Sequence, residues 1–191
     1  MEEKQLIEGC IRGEPRARKT MYELHAPAML SVCRRYVCNS ETARDLLHDG
    51  FVKLFTKIHT YSGSGSFIGW MKRIFVTTAL EYLRRHQRLL RGVEVEKCDV
   101  QDAEPDVSLF EHLSANDLFD CVARLPDKCR IVFNMYAIEE YTHVEIAKEL
   151  AISEGTSRSQ YARARQLLQK MIVRAASGRP TTWKKQHKIE Y

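Results

Sequence analysis

Apolar residues recur every three or four positions along almost the whole chain, the spacing that places them on one face of an α-helix. No segment shows the strict alternation of a strand, and no Asn-Gly pair marks a hairpin turn. The sequence therefore predicts an all-α protein. Caps, prolines and glycines divide it into predicted helices at residues 6–11, 15–38, 40–58, 67–91, 118–125, 126–136, 142–150 and 153–174.

Charge is unevenly distributed along the 191 residues. The formal net charge is +5, yet residues 92–118 hold eight acidic residues and one basic residue, Lys97. This segment carries −7, which leaves +12 on the rest of the chain. We interpret the pattern as two small helical domains, at 1–91 and 114–176, joined by a flexible acidic linker at 92–113 and followed by a basic tail at 177–191. Two basic blocks of this kind permit a polyanionic partner.

Several classes of protein are disfavoured by what the sequence lacks. No apolar signal segment follows the charged N-terminus and no apolar run is long enough to span a bilayer, so we expect a cytoplasmic protein. The six cysteines form no CxxC pair, and no histidine stands at zinc-finger spacing from them. We therefore expect no structural metal, with Cys33 and Cys129 as small core hydrophobes. The seven histidines are dispersed and there is no P-loop, so we expect neither catalytic residues nor a cofactor.

The sharpest local pattern begins at Thr142. Thr142 and Glu145 stand at the spacing of a capping box, which fixes the start of a helix. Ala151-Ile152 predicts a tight turn, and Ser153 is placed to cap the helix that follows. The buried face of that second helix is predicted to comprise Tyr161, Ala164 and Leu168. Together the two helices predict a helix-turn-helix.

The predicted outward face of this second helix is basic and polar, with Arg158, Ser159, Gln160, Arg163 and Arg165. Such a helix fits the major groove of DNA, where arginine reads guanine and glutamine reads adenine. The alternative is that the basic residues only keep an amphipathic helix soluble, although the caps, the turn and the spacing agree with one another. Basic residues further along either contact phosphates or belong to a solvated tail: Arg174, Arg179, Lys184, Lys185 and Lys188.

Aromatic and basic residues are interleaved on the predicted helix at 67–91. At 100° per residue one stripe comprises Trp70, Arg73, Thr77, Glu81 and Arg84. Beside it, facing the core, the same spacing puts Met71, Ile74, Thr78 and Tyr82. An exposed aromatic ring beside guanidinium groups suits single-stranded DNA, because bases stack on the ring and phosphates meet the charges. Trp70 by itself also fits a place in the core.

Several stretches resemble, in order, the conserved regions of bacterial sigma factors. Residues 43–55, ARDLLHDGFVKLF, resemble region 2.2, and residues 67–85 resemble regions 2.3 and 2.4. Resemblance to region 4 is carried by Leu125-Pro126, Arg130, Glu145-Ile-Ala147 and residues 155–165. The resemblance covers about residues 21–171 and is to the small extracytoplasmic-function type, which has regions 2 and 4.

The resemblance implies a subunit that binds core RNA polymerase and directs transcription initiation at promoters, and not an enzyme. It implies contact with the flap of the polymerase, and with the clamp helices of the largest subunit through Arg35, Asp45, Asp49, Phe51 and Leu54. Capture and melting of the minus-10 element are implied for Ser64, Phe67, Trp70, Arg73, Thr77 and Arg84. Recognition of the minus-35 element as a duplex is implied for Thr156, Arg158, Ser159, Gln160, Arg163 and Arg165.

Further expectations follow from the same resemblance. The acidic linker resembles the region that threads the polymerase cleft, where carboxylates take the place of phosphates. An anti-sigma factor is implied as a partner, as are a monomeric free state and association with the nucleoid when active. The chain departs from the usual pattern at His48, Thr77, Glu81 and Ser157.

Two other functions remain open. One is a conventional helix-turn-helix regulator that binds duplex DNA as a dimer, which half-site symmetry would reveal. The other is a sigma-like decoy that sequesters an anti-sigma factor without directing transcription. The polar face of the third helix and the intact recognition helix weigh against the decoy.

Overall fold

The computed structural model of the protein describes residues 3–86 and 115–177. Contacts between Cα atoms divide the chain between Val93 and Glu94 into two compact units. Both described ranges are helical and contain no strand, which confirms the all-α prediction. The predicted acidic linker and residues 178–191 of the basic tail lie outside the described residues, so the predicted domain limits remain predictions.

The first unit consists of α1 (Glu3–Ile11), α2 (Pro15–Tyr36), α3 (Ser40–Lys57), a 3₁₀ turn (Ile58–Thr60) and α4 (Phe67–His86). Gly13, at a φ of 78°, ends α1, and Pro15 begins α2 because a proline needs no N–H partner in the first turn. Asn39 caps α3, since its side-chain oxygen accepts a 2.9 Å hydrogen bond from Thr42 N. These boundaries follow the predicted helices closely.

The core of the first unit lies between α2, α3 and α4. Its fully buried large side chains are Met21, Met29, Tyr36, Leu54, Ile58, Phe67, Met71, Phe75 and Leu80. The predicted burial of Cys33 is confirmed, and burial raises the pKa of its thiol to about 12. The three helices therefore pack against one another around a shared apolar core.

The second unit consists of α5 (Ala115–Ala123), α6 (Asp127–Phe133), a π-helical turn (Asn134–Ile138), α7 (His143–Leu150) and α8 (Glu154–Ser177). The predicted helix at 126–136 differs here, because the helix widens after Phe133 and ends in the π turn. Glu140 then adopts a φ of 59° and redirects the chain into α7. Its core joins α5, α6 and α8 through Val122, Leu125, Cys129, Ala164 and Leu168.

Among residues 3–86 and 115–177, no helix combines the length and the apolar character needed to cross a lipid bilayer.

Candidate nucleic-acid interfaces

The capping box predicted at the start of α7 is present with both of its hydrogen bonds. Glu145 N donates to Thr142 Oγ1 over 3.2 Å, and Thr142 N donates to Glu145 Oε2 over 2.9 Å. Two backbone N–H groups that a helix start leaves without partners are thereby satisfied. The first helix of the helix-turn-helix consequently begins at a position fixed by its own sequence.

The turn between α7 and α8 is equally local. Ala151 adopts the left-handed conformation, and Ile152 N donates to Ala147 O over 3.0 Å. Ser153 Oγ then accepts a 3.0 Å bond from Thr156 N, and the Ser153 and Thr156 hydroxyls lie 2.8 Å apart. The helix-turn-helix predicted from the sequence is confirmed, with the Thr156 hydroxyl engaged in the cap of α8.

The outward face of α8 carries Arg158 at its N-terminal end. The Arg158 side chain is 65% exposed and pairs with Glu154 one turn earlier, with Nη2 and Oε1 2.5 Å apart. Ser159 is half-buried and donates its hydroxyl to Thr156 O over 3.0 Å. Arg163 and Arg165 are also half-buried, and the Arg165 guanidinium lies 5.8 Å from the centre of the Tyr161 ring. A guanidinium-rich surface therefore runs along the exposed side of the recognition helix.

Gln160 does not belong to that outward face, contrary to the sequence-based prediction. Its side chain is half-buried, and its Oε1 accepts a 3.1 Å hydrogen bond from the thiol of Cys129, a core residue of α6. Gln160 follows buried Ser157 by three residues and precedes buried Ala164 by four, so helix geometry turns it inward. This bond directs the Gln160 carbonyl oxygen toward α6.

In the first unit, Trp70 is half-buried at the edge of an aromatic cluster. Its ring stacks on Phe67, with centroids 5.8 Å apart and planes at 24°, and lies 5.4 Å from the Tyr61 ring. Trp70 is therefore neither a fully exposed ring nor a core residue: one side of the ring packs on the domain, and the rest of the side chain reaches solvent. Phe67 itself is only 1% exposed, which corrects the expectation that it contacts DNA directly: it supports Trp70 from the core.

The segment between the 3₁₀ turn and α4 is organised by Tyr61. The Tyr61 hydroxyl donates to Gly65 O over 2.7 Å, and Gly63 and Gly65 both adopt positive φ angles of 75° and 79°. This closes the loop on itself and leaves Ser64 exposed at its tip. Tyr61, at the start of the loop expected to meet the minus-10 element, therefore holds that loop in place through its hydroxyl.

The stripe predicted along α4 is present, with differences in what its members do. Arg73 and Arg84 are exposed, whereas the Thr77 hydroxyl donates within its own helix to Arg73 O and Ile74 O, each over 2.9 Å. Glu81 accepts a 2.6 Å bond from Lys53 Nζ of α3, and this ammonium group lowers the pKa of the Glu81 carboxyl. The stripe therefore combines cations with one side chain that ties α4 to α3.

The polar face of α3 is the third candidate surface. Asp45, His48 and Asp49 are exposed on it, and Arg35 of α2 is half-buried. Phe51 and Leu54 are 3% and 0% exposed, which corrects the expectation of direct partner contact, because both side chains fill the core beneath the helix. Val52 is 52% exposed and follows Asp49 by three residues, so it lies on the polar face and was missed by the sequence analysis. The face therefore exposes an aliphatic side chain beside two carboxylates.

Metal binding has no support in the part of the chain that the structure describes, where no three His, Cys, Asp or Glu side chains gather to hold an ion.

Each of the two units matches a known protein family. The family model of Sigma-70 region 2 matches residues 21–89, and that of Sigma-70 region 4 matches residues 115–168. The ECF RNA polymerase sigma-E factor of Haemophilus influenzae is 24% identical over 180 residues, which cover 89% of this chain and 95% of that protein. The RNA polymerase sigma-H factor of Pseudomonas aeruginosa is 24% identical over 181 residues, or 90% and 94% of the two chains.

Two solved structures share the fold. CnrH, solved in complex with the cytosolic domain of CnrY, has a TM-score of 0.51 and 19% identity, and the match covers 90% of this chain and 97% of that one. The sigma factor RpoE of Bartonella quintana, solved with the anti-sigma factor NepR, has a TM-score of 0.52 and 19% identity, with 82% and 96% covered. With both family regions present in order, the chain belongs to the sigma-70 family.

Proposed function

We propose that this protein is a sigma factor that binds core RNA polymerase and directs promoter-specific initiation of transcription by recognising minus-35 and minus-10 elements. The observation that carries the proposal is the presence, in one chain and in family order, of a region 2 unit with an aromatic and cationic surface and a region 4 unit with a capped helix-turn-helix. Each surface suits a different state of DNA.

Recognition of the minus-35 duplex is assigned to α8. Arg158 stands in the first turns of this helix, the part that reaches deepest into a major groove, and its five donors suit a guanine edge. Arg163 and Arg165 lie further along, where phosphates are the expected partners. Thr156 and Ser159 contribute hydroxyls beside the cap, and Gln160 acts mainly by holding α8 against Cys129.

Capture of the minus-10 element is assigned to the Tyr61–Trp70 region and the stripe on α4. The Trp70 ring, held from behind by Phe67 and Tyr61, offers a preformed platform for an unpaired base. Arg73 and Arg84 supply cations for the strand backbone, and Ser64 stands at the tip of the loop. Because a base stacked there is removed from the duplex, its binding energy favours the melted state.

Docking on the polymerase clamp helices is assigned to the exposed face of α3. Val52 follows Asp45 and Asp49 along this face, so an exposed aliphatic side chain lies beside two carboxylates, a mixture of apolar and polar groups that suits a protein interface. Phe51 and Leu54 contribute by anchoring α3 to the core from the opposite side. Arg35 of α2 is expected to assist binding to the clamp helices. The second unit would contact the flap of the polymerase.

In this account the chain catalyses no reaction, and strand opening is driven by binding energy. Two modules that each bind weakly gain affinity when a tether lets them engage one polymerase and one promoter together. One neighbour in fold was solved with an anti-sigma factor, and we infer a partner of that class for this chain as well.

The test is a reconstitution with purified core polymerase, the full chain and a library of promoter fragments. Transcripts that start at defined positions, share two spaced elements and require the chain are the expected result. Binding of the free chain to palindromic duplex sites without transcripts would instead establish a dimeric regulator. Binding to an anti-sigma factor with no transcripts from any fragment would establish a decoy.

A further inference from the structure

A buried histidine joins the two helices of the helix-turn-helix. His143, the first residue of α7, is 9% exposed, and its Nδ1 lies 2.9 Å from the hydroxyl oxygen of Ser157 on α8. Ser157 is completely buried, although it is a polar residue directly before Arg158. A buried hydroxyl without a partner would destabilise the fold, so this bond matters for the position of α8.

The imidazole is also held in place by aromatic rings. The Tyr136 ring of the π turn stacks on it, with centroids 4.2 Å apart and planes at 12°. Tyr161 of α8 meets it edge-on at 5.9 Å, and Tyr136 and Tyr161 lie 4.5 Å apart. His143 therefore contacts both the π turn and the recognition helix, and its ring has little freedom to rotate.

The protonation state of His143 is set by the same surroundings. Burial lowers its pKa below the ordinary histidine value, and the Arg158 guanidinium lowers it further, against a smaller opposite effect of Glu154. Tyr136 and Tyr161 are the titratable groups that face the ring from the π turn and α8. The imidazole is therefore neutral near pH 7 and pairs with Ser157 without bringing a second cation beside Arg158.

We propose that His143 is a positioning residue for promoter recognition. Held by stacking against Tyr136, it forms a hydrogen bond with Ser157 and so fixes the orientation in which α8 presents Arg158 to the minus-35 duplex. The inference rests on the proposed function and adds to it a residue that does not itself touch DNA. The pair lies wholly within the helix-turn-helix, with His143 at the start of α7 and Ser157 directly before Arg158 on α8.

The test compares His143→Phe, Ser157→Ala and the double variant in the full chain. Phenylalanine keeps a ring against Tyr136 but leaves the Ser157 hydroxyl without its partner, whereas the double variant leaves no buried polar group unpaired. Each protein is assembled with core polymerase and offered a promoter fragment selected by the wild-type holoenzyme, or the same fragment with its minus-35 element scrambled. His59→Phe, at an exposed position of the first unit, serves as the control.

We expect His143→Phe to reduce the preference for the intact minus-35 element by about five- to tenfold, in line with a lost buried hydrogen bond. The double variant should lose a similar part of that preference, because it also lacks the bond that orients α8, and all variants should bind core polymerase within about twofold of wild type. A double variant with the preference of wild type, or an equal loss of polymerase affinity, would overturn the inference, because the first result shows that α8 is oriented without the bond and the second indicates a general loss of packing.

A spectroscopic measurement separates this inference from the proposed function. In the free full chain, ¹⁵N spectra of the His143 ring should report one tautomer, and Ser157→Ala should shift the Nδ1 resonance. An unshifted Nδ1 resonance overturns the pairing whatever the polymerase assays give. A wild-type chain that never binds polymerase overturns the proposed function, whereas an active wild type together with a double variant of equal minus-35 preference overturns only the role of His143.

Discussion

The Phe75 ring of α4 occupies the space that a β-carbon on Gly50 of α3 would need. An added β-carbon would come within 3.0 Å of three carbons of that ring, closer than real β-carbon contacts. The glycine therefore allows α3 and α4 to approach each other directly, and this contact sets the distance between the proposed docking face on α3 and the aromatic and cationic stripe on α4. It also defines a test of the packing.

Gly50→Ala should destabilise the first unit by about 1–3 kcal/mol, because the ring must move or the helices must separate. Chemical denaturation of the full chain, followed by circular dichroism, measures the change. Gly69→Ala is the matched control, since its added carbon meets only Ser66 at 3.6 Å and alanine favours helix. Equal midpoints for Gly50→Ala and wild type would show that α3 and α4 are not packed as described.

Trp70→Ala should leave polymerase binding unchanged and abolish formation of the open bubble. The ring stands on Phe67 and Tyr61 at the surface, so its loss removes the stacking platform while the core stays filled. Permanganate reactivity of unpaired thymines measures melting, and Trp70→Phe should retain part of it. Normal reactivity in the alanine variant would remove Trp70 from the melting mechanism.

Arg158→Ala should weaken recognition of the minus-35 element by about 1–3 kcal/mol while melting at an intact minus-10 element persists. The free protein should lose little stability, because the Arg158–Glu154 pair is an exposed pair one turn apart. Competition between intact and scrambled minus-35 fragments gives the difference. Arg12→Ala, which removes another exposed arginine paired with a glutamate, should change neither property.

The Lys53–Glu81 ion pair predicts a specific dependence on pH. Lys53 lowers the pKa of Glu81, so the pair stabilises the fold above the unfolded-state pKa of the carboxyl, and this contribution is lost as pH falls through the folded-state value. Lys53→Met should raise the Glu81 pKa in a ¹³C carboxyl titration. The stability difference between wild type and Lys53→Met should be present at pH 7 and shrink under acid conditions; a difference that is independent of pH would contradict the pairing.

Val52→Asp should weaken binding to core polymerase by about 2 kcal/mol or more, because it places a charge where the proposed docking face exposes an aliphatic side chain. Stability should be nearly unchanged, since the side chain is 52% exposed. Fluorescence anisotropy with labelled protein measures the affinity, and Val173→Asp on α8 is the control at another exposed valine. Equal affinities for the two variants would move the docking site away from Val52.

Local chemistry made much of this fold predictable. The caps at Asn39, Thr142 and Ser153 join residues three apart, so their hydrogen bonds are legible in the sequence and appear in the structure. Apolar spacing likewise located the core face of α8, where Ala164 and Leu168 are buried. Phe51 fits that spacing as a core residue, and only the resemblance to relatives assigned it a partner contact.

Contacts between distant residues were not predictable in the same way. Cys129 and Gln160 are 31 positions apart, and nothing near either residue indicates that this thiol will donate a hydrogen bond to this amide oxygen. The His143–Ser157 bond and the π turn that brings Tyr136 over His143 likewise depend on how α6, α7 and α8 pack. Sequence patterns identify faces of helices, whereas these pairings need the packed unit.

The most direct test of the central claim is the binding of the purified full chain to core RNA polymerase, measured in the absence of DNA. We expect a one-to-one complex that survives gel filtration, is weakened by Val52→Asp and not by Trp70→Ala or Arg158→Ala, and starts transcription once a promoter is added. A chain that binds promoter oligonucleotides yet elutes separately from the polymerase would contradict the account.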